Sequence, residues 1–312
     1  MTTRTVQSVD QRHQFGKSLR KRVSRSSHAD WSPAPDRPDP LELIESQNKD
    51  RLKWLVPVRH SRMMDSPFSF YRAGATVMAA DLARTPVSGL RVQACGDAHL
   101  SNFGFFASPE RSLVFDINDF DETLAADCQV LLRNDRPVEY GLKAVGVGSV
   151  GTRCWILLLE GRDRDDPLYL QMKQATESAL AKHLPLQDKE IGSQSYEAPT
   201  GKLTSEPVAL IPNHGQRVVA GQRLMQTSSD IFLGWTHHPD TGHDYYWRQL
   251  NDWKGSVTIE GLDAEDLQDY ACLCGWTLAR AHARSGDPVA ISGYMGSSDS
   301  LDHTLTEFAS RY

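Results

Sequence analysis

Gly96-Asp-Ala-His-Leu-Ser-Asn-Phe-Gly104 and, after a short spacer, Val114-Phe-Asp-Ile-Asn-Asp-Phe-Asp-Glu122 decide how the rest of this chain is read. Leu90, Val92 and Ala94 alternate with polar residues, which predicts a half-buried strand leading into Gly96 and Asp97. Phe103-Gly-Phe-Phe and Leu113-Val-Phe read as two short strands. Ser108-Pro-Glu-Arg between them suits a type I turn with proline at its second position. Such a hairpin brings Asp97, His99 and Asn102 beside Asp116, Asp119, Asp121 and Glu122. Hard oxygen ligands gathered in this way suit Mg²⁺ or Mn²⁺ and the phosphates these ions carry.

Asp and Asn are also common in solvated turns and caps. The interleaving of Phe115, Ile117 and Phe120 with the acids argues for a run tied to a core instead.

A second stretch, Val145-Gly-Val-Gly-Ser-Val-Gly-Thr-Arg-Cys-Trp-Ile-Leu-Leu-Leu-Glu160, puts Gly146, Gly148, Ser149 and Gly151 in a tight turn before a buried strand. The same glycine spacing before a helix would suggest dinucleotide binding, but here a strand follows. Leu168-Tyr-Leu-Gln-Met-Lys173 is then a strand ending in lysine. Earlier, Arg72 stands among aromatics just ahead of a small-residue helix over Ala73–Ala83, where it either pairs with Asp81 or reaches phosphates.

The order Asp, Asn, hairpin, strand-end Asp resembles the catalytic segment of the protein-kinase-like superfamily, particularly its aminoglycoside- and choline-kinase branch. On that resemblance Asp97 matches the catalytic base, and Asn102 and Asp116 match the metal ligands, with Asp119 and Asp121 as second choices. The glycine turn matches the loop that covers nucleotide phosphates, and Lys173 the lysine that holds them. More closely, the segment resembles the uncharacterised bacterial domain-of-unknown-function family 2252. Gly-Asp-x-His-x-x-Asn-Phe-Gly and Phe-Asp-x-Asn-Asp-Phe-Asp-Glu-Thr are hallmark strings of that family, and the similarity spans roughly Gly16 to Tyr312 apart from a gap after Thr123. In a kinase the glycine hairpin and lysine precede the catalytic loop. Here they follow it, so the resemblance implies an α+β, two-lobed, kinase-like fold with permuted lobes. The aperiodic run after Thr123, where the family carries a long helical region, and the helical run reaching Tyr312 add the expectation of an incomplete lower lobe.

At 312 residues the chain exceeds the usual single-domain range. Its reading divides into a basic and proline-rich arm (1–40), a helical and catalytic-loop part of the larger lobe (41–140), a glycine-hairpin and lysine lobe (141–255) and a helical remainder of the larger lobe (256–312). A net charge of −6 argues against a dedicated nucleic-acid binder. No apolar run approaches a membrane span or a secretory signal. Five cysteines without metal-type spacing read as free thiols of a reducing cytoplasm. Leu41–Leu52 reads as a helix capped by Asp39, His214–Ser229 as a helix with Val218, Val219, Leu224 and Met225 inward, and Asp263–Ala283 as a helix closed by Gly286. His282, near that helix end, is expected to be structural, since the helix dipole favours its charged form.

The leading expectation is a phosphotransferase using Mg²⁺ (or Mn²⁺) with ATP and an acceptor the sequence does not name. Two alternatives stay open: a metal-dependent phosphohydrolase using His99 with the same acids, and a nucleotide-binding pseudokinase without turnover.

Overall fold

The computed structural model describes residues 7–96, 98–121, 136–144, 146–160, 167–181, 183, 196–197, 203–204, 213–250 and 255–312. Asp97 and the segment after Thr123 lie outside the described residues.

The predicted hairpin is present as β1 (Phe103–Ala107) and β2 (Leu113–Ile117), paired antiparallel with Phe105 opposite Phe115. Its turn closes through Ser108 N–H donating to the Ser112 carbonyl at 2.8 Å. The expected strand over Leu90–Ala94 does not form a ladder. Gln93 and Cys95 are the buried positions there, the opposite phase to the one expected. Gln93 N–H donates to Ser285 Oγ at the end of a helix, so no strand partner is needed.

A five-stranded antiparallel sheet follows, in the order β3 (Arg136–Leu142), β4 (Cys154–Glu160), β5 (Pro167–Ala175), β9 (His243–Gln249), β8 (Gly234–His238). A separate two-residue pair joins β6 (Tyr196–Glu197) to β7 (Leu203–Thr204). The glycine turn is the connection between β3 and β4, whose last pair is Leu142 opposite Trp155. Lys173 stands on β5, the third strand of the sheet in chain order. Helix α6 (His214–Met225), capped by Asn213, enters between β5 and β8 in sequence and lies against the sheet. Val218, Val219 and Met225 are buried as the sequence predicts, while Leu224, also expected inward, is half-buried.

One core joins these parts. Phe103, Ile117 and Phe120 of the hairpin meet Val218, Val219 and Met225 of α6, Tyr246 of β9, and Tyr270, Cys274 and Ala281 of α7 (Ala264–Ser285). Asp263 caps α7 through the amides of Glu265 and Asp266. Gly286 follows it, but in extended backbone (φ −122°) rather than the left-handed cap expected. A Cβ there would sit 2.6 Å from the Arg91 carbonyl, so close approach is what selects glycine.

The arm expected over residues 1–40 is docked wherever it is described. Helix α1 (Val9–Leu19) crosses α8 (Pro288–Met295) through Gly16 and Gly293. Cβ atoms at these two positions would fall 1.9 Å from the Ala290 carbonyl and 2.3 Å from the His13 carbonyl. Arg12 grips Asp287 with two hydrogen bonds, and Arg20 donates to the carbonyls of Gly293 and Tyr294. The arm thus satisfies the open carbonyls at the end of α8, where cations are favoured. Asp39 caps α2 (Pro40–Asn48) as expected, although that helix stops short of Leu52. Helices α3 (Val56–Met63), α4 (Pro67–Tyr71), α5 (Ala75–Leu82) and α9 (Ser300–Arg311) complete the α part. Among the described residues no helix is long and apolar enough to cross a membrane, and Cys95, Cys154, Cys272 and Cys274 are free thiols.

Candidate anion-binding cavity

A cavity of about 610 Å³ opens where the hairpin, the glycine turn and the sheet meet. Its volume lies within the range of small-molecule sites. Arg72, His99, Asn102, Asp119, Gly146, Gly148, Ser149 and Lys173 all line it, so residues far apart in sequence do share one site. Gly151 does not line it; at φ +92° it packs on the Arg51 side chain.

Strand alternation builds the floor. On β5 and β9, Lys173 faces Tyr246 and Gln171 faces Arg248 in register, which puts four polar side chains on one surface of the sheet. Lys173 is buried, and its ammonium donates to Asp119 Oδ2 at 3.2 Å and to Asp121 Oδ2. Burial alone would press the lysine toward neutrality, but Asp119 and Asp121 outweigh it and hold its pKa well above the ordinary value. Burial likewise pushes the Asp119 carboxyl up, yet the charges of Lys173 and Arg248 win and keep it far below the usual carboxylate range. Both groups are therefore ionised at neutral pH.

Asp121 is the junction of the site. Its Oδ2 also accepts from Ser149 Oγ at 2.9 Å, its Oδ1 accepts from Tyr246 Oη at 2.7 Å, and its carbonyl accepts from Arg217 at 2.6 Å. The glycine turn is thereby pinned to the acidic loop. Arg51, itself on the cavity wall, fixes the same turn by donating to the carbonyls of Gly148 and Val150. The other end of the site is joined through Asn102, whose Nδ2 donates to the Asp119 carbonyl at 3.1 Å. Asp119 thus touches both Lys173 and Asn102.

Asp116, expected to face the metal, lies elsewhere. It is fully buried, and its Oδ2 accepts from the Thr227 amide at 2.9 Å, the Thr227 hydroxyl at 2.7 Å and Arg280 at 2.6 Å. Its Oδ1 accepts from the Ile117 amide. Alternation does separate it from Phe115, but the face it turns to is the α7 side of the core. Arg72 does not pair with Asp81, which is held by Arg37 and the Tyr312 hydroxyl. Its guanidinium lies over the Phe68 ring, with a buried Nε that has no hydrogen-bond partner among the described residues. Lys173 is paired with two acids of the loop, Asp119 and Asp121.

Six cations (Arg51, Arg62, Arg72, Lys143, Lys173 and Arg248) and two acids (Asp119 and Asp121) line the cavity. Arg51, Arg62, Arg248 and Tyr246 were not marked by sequence reading. For Tyr246 and Arg248 a signal existed, since they share the period-two face that opposes Lys173. An excess of cation in a concave, partly dry site attracts anions. As to a metal, no group of three or more His, Cys, Asp or Glu is assembled among the described residues. Asp119 Oδ1, however, is buried without a hydrogen-bond partner among them. Mg²⁺ commonly takes only one or two carboxylates and completes its shell with phosphates and water, so the acids present fit it.

His99 is 8% exposed, and burial, aided by the charge of Arg72, lowers its imidazole pKa to about 4. The folded state therefore takes up its proton less readily than an unfolded chain does near pH 6.5. Its contribution to stability is complete above about pH 6.5 and is lost as pH falls toward 4. His99→Gln is expected to flatten that limb, with His214 and His282, also lowered by burial, keeping part of the slope. The lowering at His282 opposes the helix-dipole effect expected there. Urea midpoints at pH 7, 6 and 5 check the His99 expectation; parallel curves for parent and variant would refute it.

No curated protein and no solved structure matches the chain. One family does, through residues 51–133 and 138–312, so that the match runs past Thr123 and breaks only over four residues. With the cavity and nearly all its lining residues inside those limits, the chain belongs to the family described as "uncharacterized protein conserved in bacteria", domain of unknown function 2252.

Proposed function

We propose that the chain is a Mg²⁺–nucleotide-dependent phosphotransferase of the kinase-like kind. The observation that carries this reading is Lys173: a buried ammonium on the third strand of an antiparallel sheet, under a glycine turn, held by two carboxylates. In protein kinases the phosphate-holding lysine also sits on the third strand beneath a glycine-rich loop, paired with an acid of the following helix. Helix α6 carries no acid, and Asp121 supplies the charge instead.

Phosphoryl transfer needs mainly positioning and charge neutralisation. Lys173 and Arg72 would bind phosphate oxygens, and Ser149 and the glycine turn would close over them. Asp119, with Asp121 beside it, would hold a Mg²⁺ ion whose charge offsets that of the phosphates. Asp97, adjoining Gly96 at φ +76°, would orient the acceptor hydroxyl and take its proton. The bond from the terminal phosphorus to the acceptor oxygen forms as the bond to the nucleoside diphosphate breaks. The hydrolase alternative rests on His99, whose ring is neutral and of low basicity at pH 7.

Asp119→Asn is the test. It keeps the side-chain shape and removes the charge. It is expected to weaken Mg–ATP binding by more than about tenfold, a loss of roughly 1.4 kcal/mol, with little effect on metal-free ATP. Equal Mg–ATP affinity for parent and variant in titration calorimetry would reject the assignment.

A further inference from the structure

The side of the cavity built by α2 to α5 carries no acid: its lining residues there are Gln47, Arg51, Arg62, Arg72, Ala73 and Ala75. Asp119 and Asp121 both come from the loop after the hairpin, and both are engaged by Lys173. Behind the helical wall stands Arg59 of α3, which is wholly buried. Its guanidinium donates to Asn48 Oδ1 at 3.1 Å, to Gln47 Oε1 at 3.1 Å and to the Ala73 carbonyl at 3.3 Å. All three acceptors are uncharged, and its Nε has no hydrogen-bond partner among the described residues. Glu45, an acid whose charge acts on it, is exposed and lies with its carboxylate 3.2 Å from His60. Burial, and then the charge of Arg51, lower the Arg59 pKa to about 10, so the group stays charged at pH 7. Buried charges are ordinarily paired.

Arg59 also sets what the wall offers. A guanidinium has only donors, so Gln47 must turn its Oε1 toward it. That leaves Nε2, from which no described residue accepts, as the amide atom available to the cavity that Gln47 lines. Arg72 reaches from the same wall to the glycine turn, since a Cβ at Gly146 would lie 3.9 Å from its Nη2. Among the described residues neither Arg59 nor Arg72 has a carboxylate partner. Two such cations match the charge of a phosphate monoester, about −1.5 to −2 at pH 7.

We propose that this wall is a second anion subsite, and that the acceptor of the phosphoryl group is itself a phosphate ester whose phosphate is received by Gln47 and Arg72 with Arg59 behind them. This rests on the phosphotransferase reading above and names the class of its acceptor. Arg72 then stands between the transferring phosphoryl group and the phosphate that the acceptor already carries.

Inorganic phosphate is the probe, titrated into the parent protein saturated with Mg–ATP, which keeps the places of the nucleotide's own phosphates filled. One phosphate is expected to bind on top of the nucleotide. Gln47→Leu removes the donor and should weaken that phosphate by at least about tenfold, the worth of a hydrogen bond to a charged group. Gln47→Glu keeps the shape and sets a carboxylate against Arg59. It should abolish phosphate binding and raise the thermal midpoint in phosphate-free buffer, a rise that an unfolded variant cannot give. Phosphate that binds only when Mg–ATP is absent, or not at all, would overturn the inference and leave the nucleotide reading standing. Phosphate bound equally by the parent and both Gln47 variants would be an adventitious ion only and would overturn it as well. Failure of ATP to bind, with phosphate still lost in both variants, would remove the nucleotide reading and the acceptor role while the subsite stands.

Discussion

Lys173→Met is expected to abolish Mg–nucleotide binding and to cost about 3 kcal/mol of stability at pH 7, the low end for a broken buried ion pair. Methionine keeps the stem on β5 and leaves Asp119 and Asp121 without their shared cation. Their side chains are 36% and 30% exposed, so water reaches them and limits the loss. The pH dependence gives a second signature. In the parent, Asp119 is held below the ordinary range, so its contribution is present above about pH 4 and is lost as pH falls through its folded value. In the variant, burial of Asp119 is no longer opposed by Lys173, the largest of the lowering influences, so its pKa rises and protonation relieves the repulsion. The gap in stability between parent and variant should therefore narrow between pH 7 and 4. Urea denaturation at both pH values measures it; a constant gap would mean that Lys173 acts by packing alone.

Asp116→Ala should be the most destabilising change in the hairpin, with a loss of about 3–5 kcal/mol. It strands the Arg280 guanidinium, which is 22% exposed and stacked on Trp276, and unbonds both donors of Thr227. Because Asp116 does not line the cavity, the variant that remains folded at low temperature should bind Mg–ATP within about threefold of the parent. A small stability change with lost nucleotide affinity would return Asp116 to the metal.

The contrast between Asp116 and the Lys173 partners Asp119 and Asp121 marks how far the sequence was legible. Pro109 in the turn and the aromatics on either side of it specify the β1–β2 hairpin locally, as an unbroken apolar run specifies β4 and the alternating Leu168-Tyr-Leu-Gln-Met-Lys173 specifies β5. Alternation says which side chains share a face, not what the face meets. Both faces of β2 carry neighbours, and the partner of Asp116, Arg280, comes from a helix 164 residues away. Strand β3 escaped because Pro137 and Gly141 demote its sequence. It tolerates them as an edge strand whose pairing slips between Pro137 and Glu139. Strand β8, Gly-Trp-Thr-His-His, is the opposite edge and shows no apolar period. That Lys173 finds its acid in the loop could be suspected from the lack of any acid in α6. The bonds of Asp121 to Ser149 and Tyr246 depend on three distant segments meeting.

Calorimetric titration of ATP into the parent protein, with and without Mg²⁺ and at a temperature where Lys173→Met is folded, decides whether Lys173 holds a nucleotide. Saturable, Mg²⁺-strengthened binding that the Lys173→Met variant lacks is expected. Absence of binding by the parent in both conditions, or equal binding by parent and variant, would contradict it.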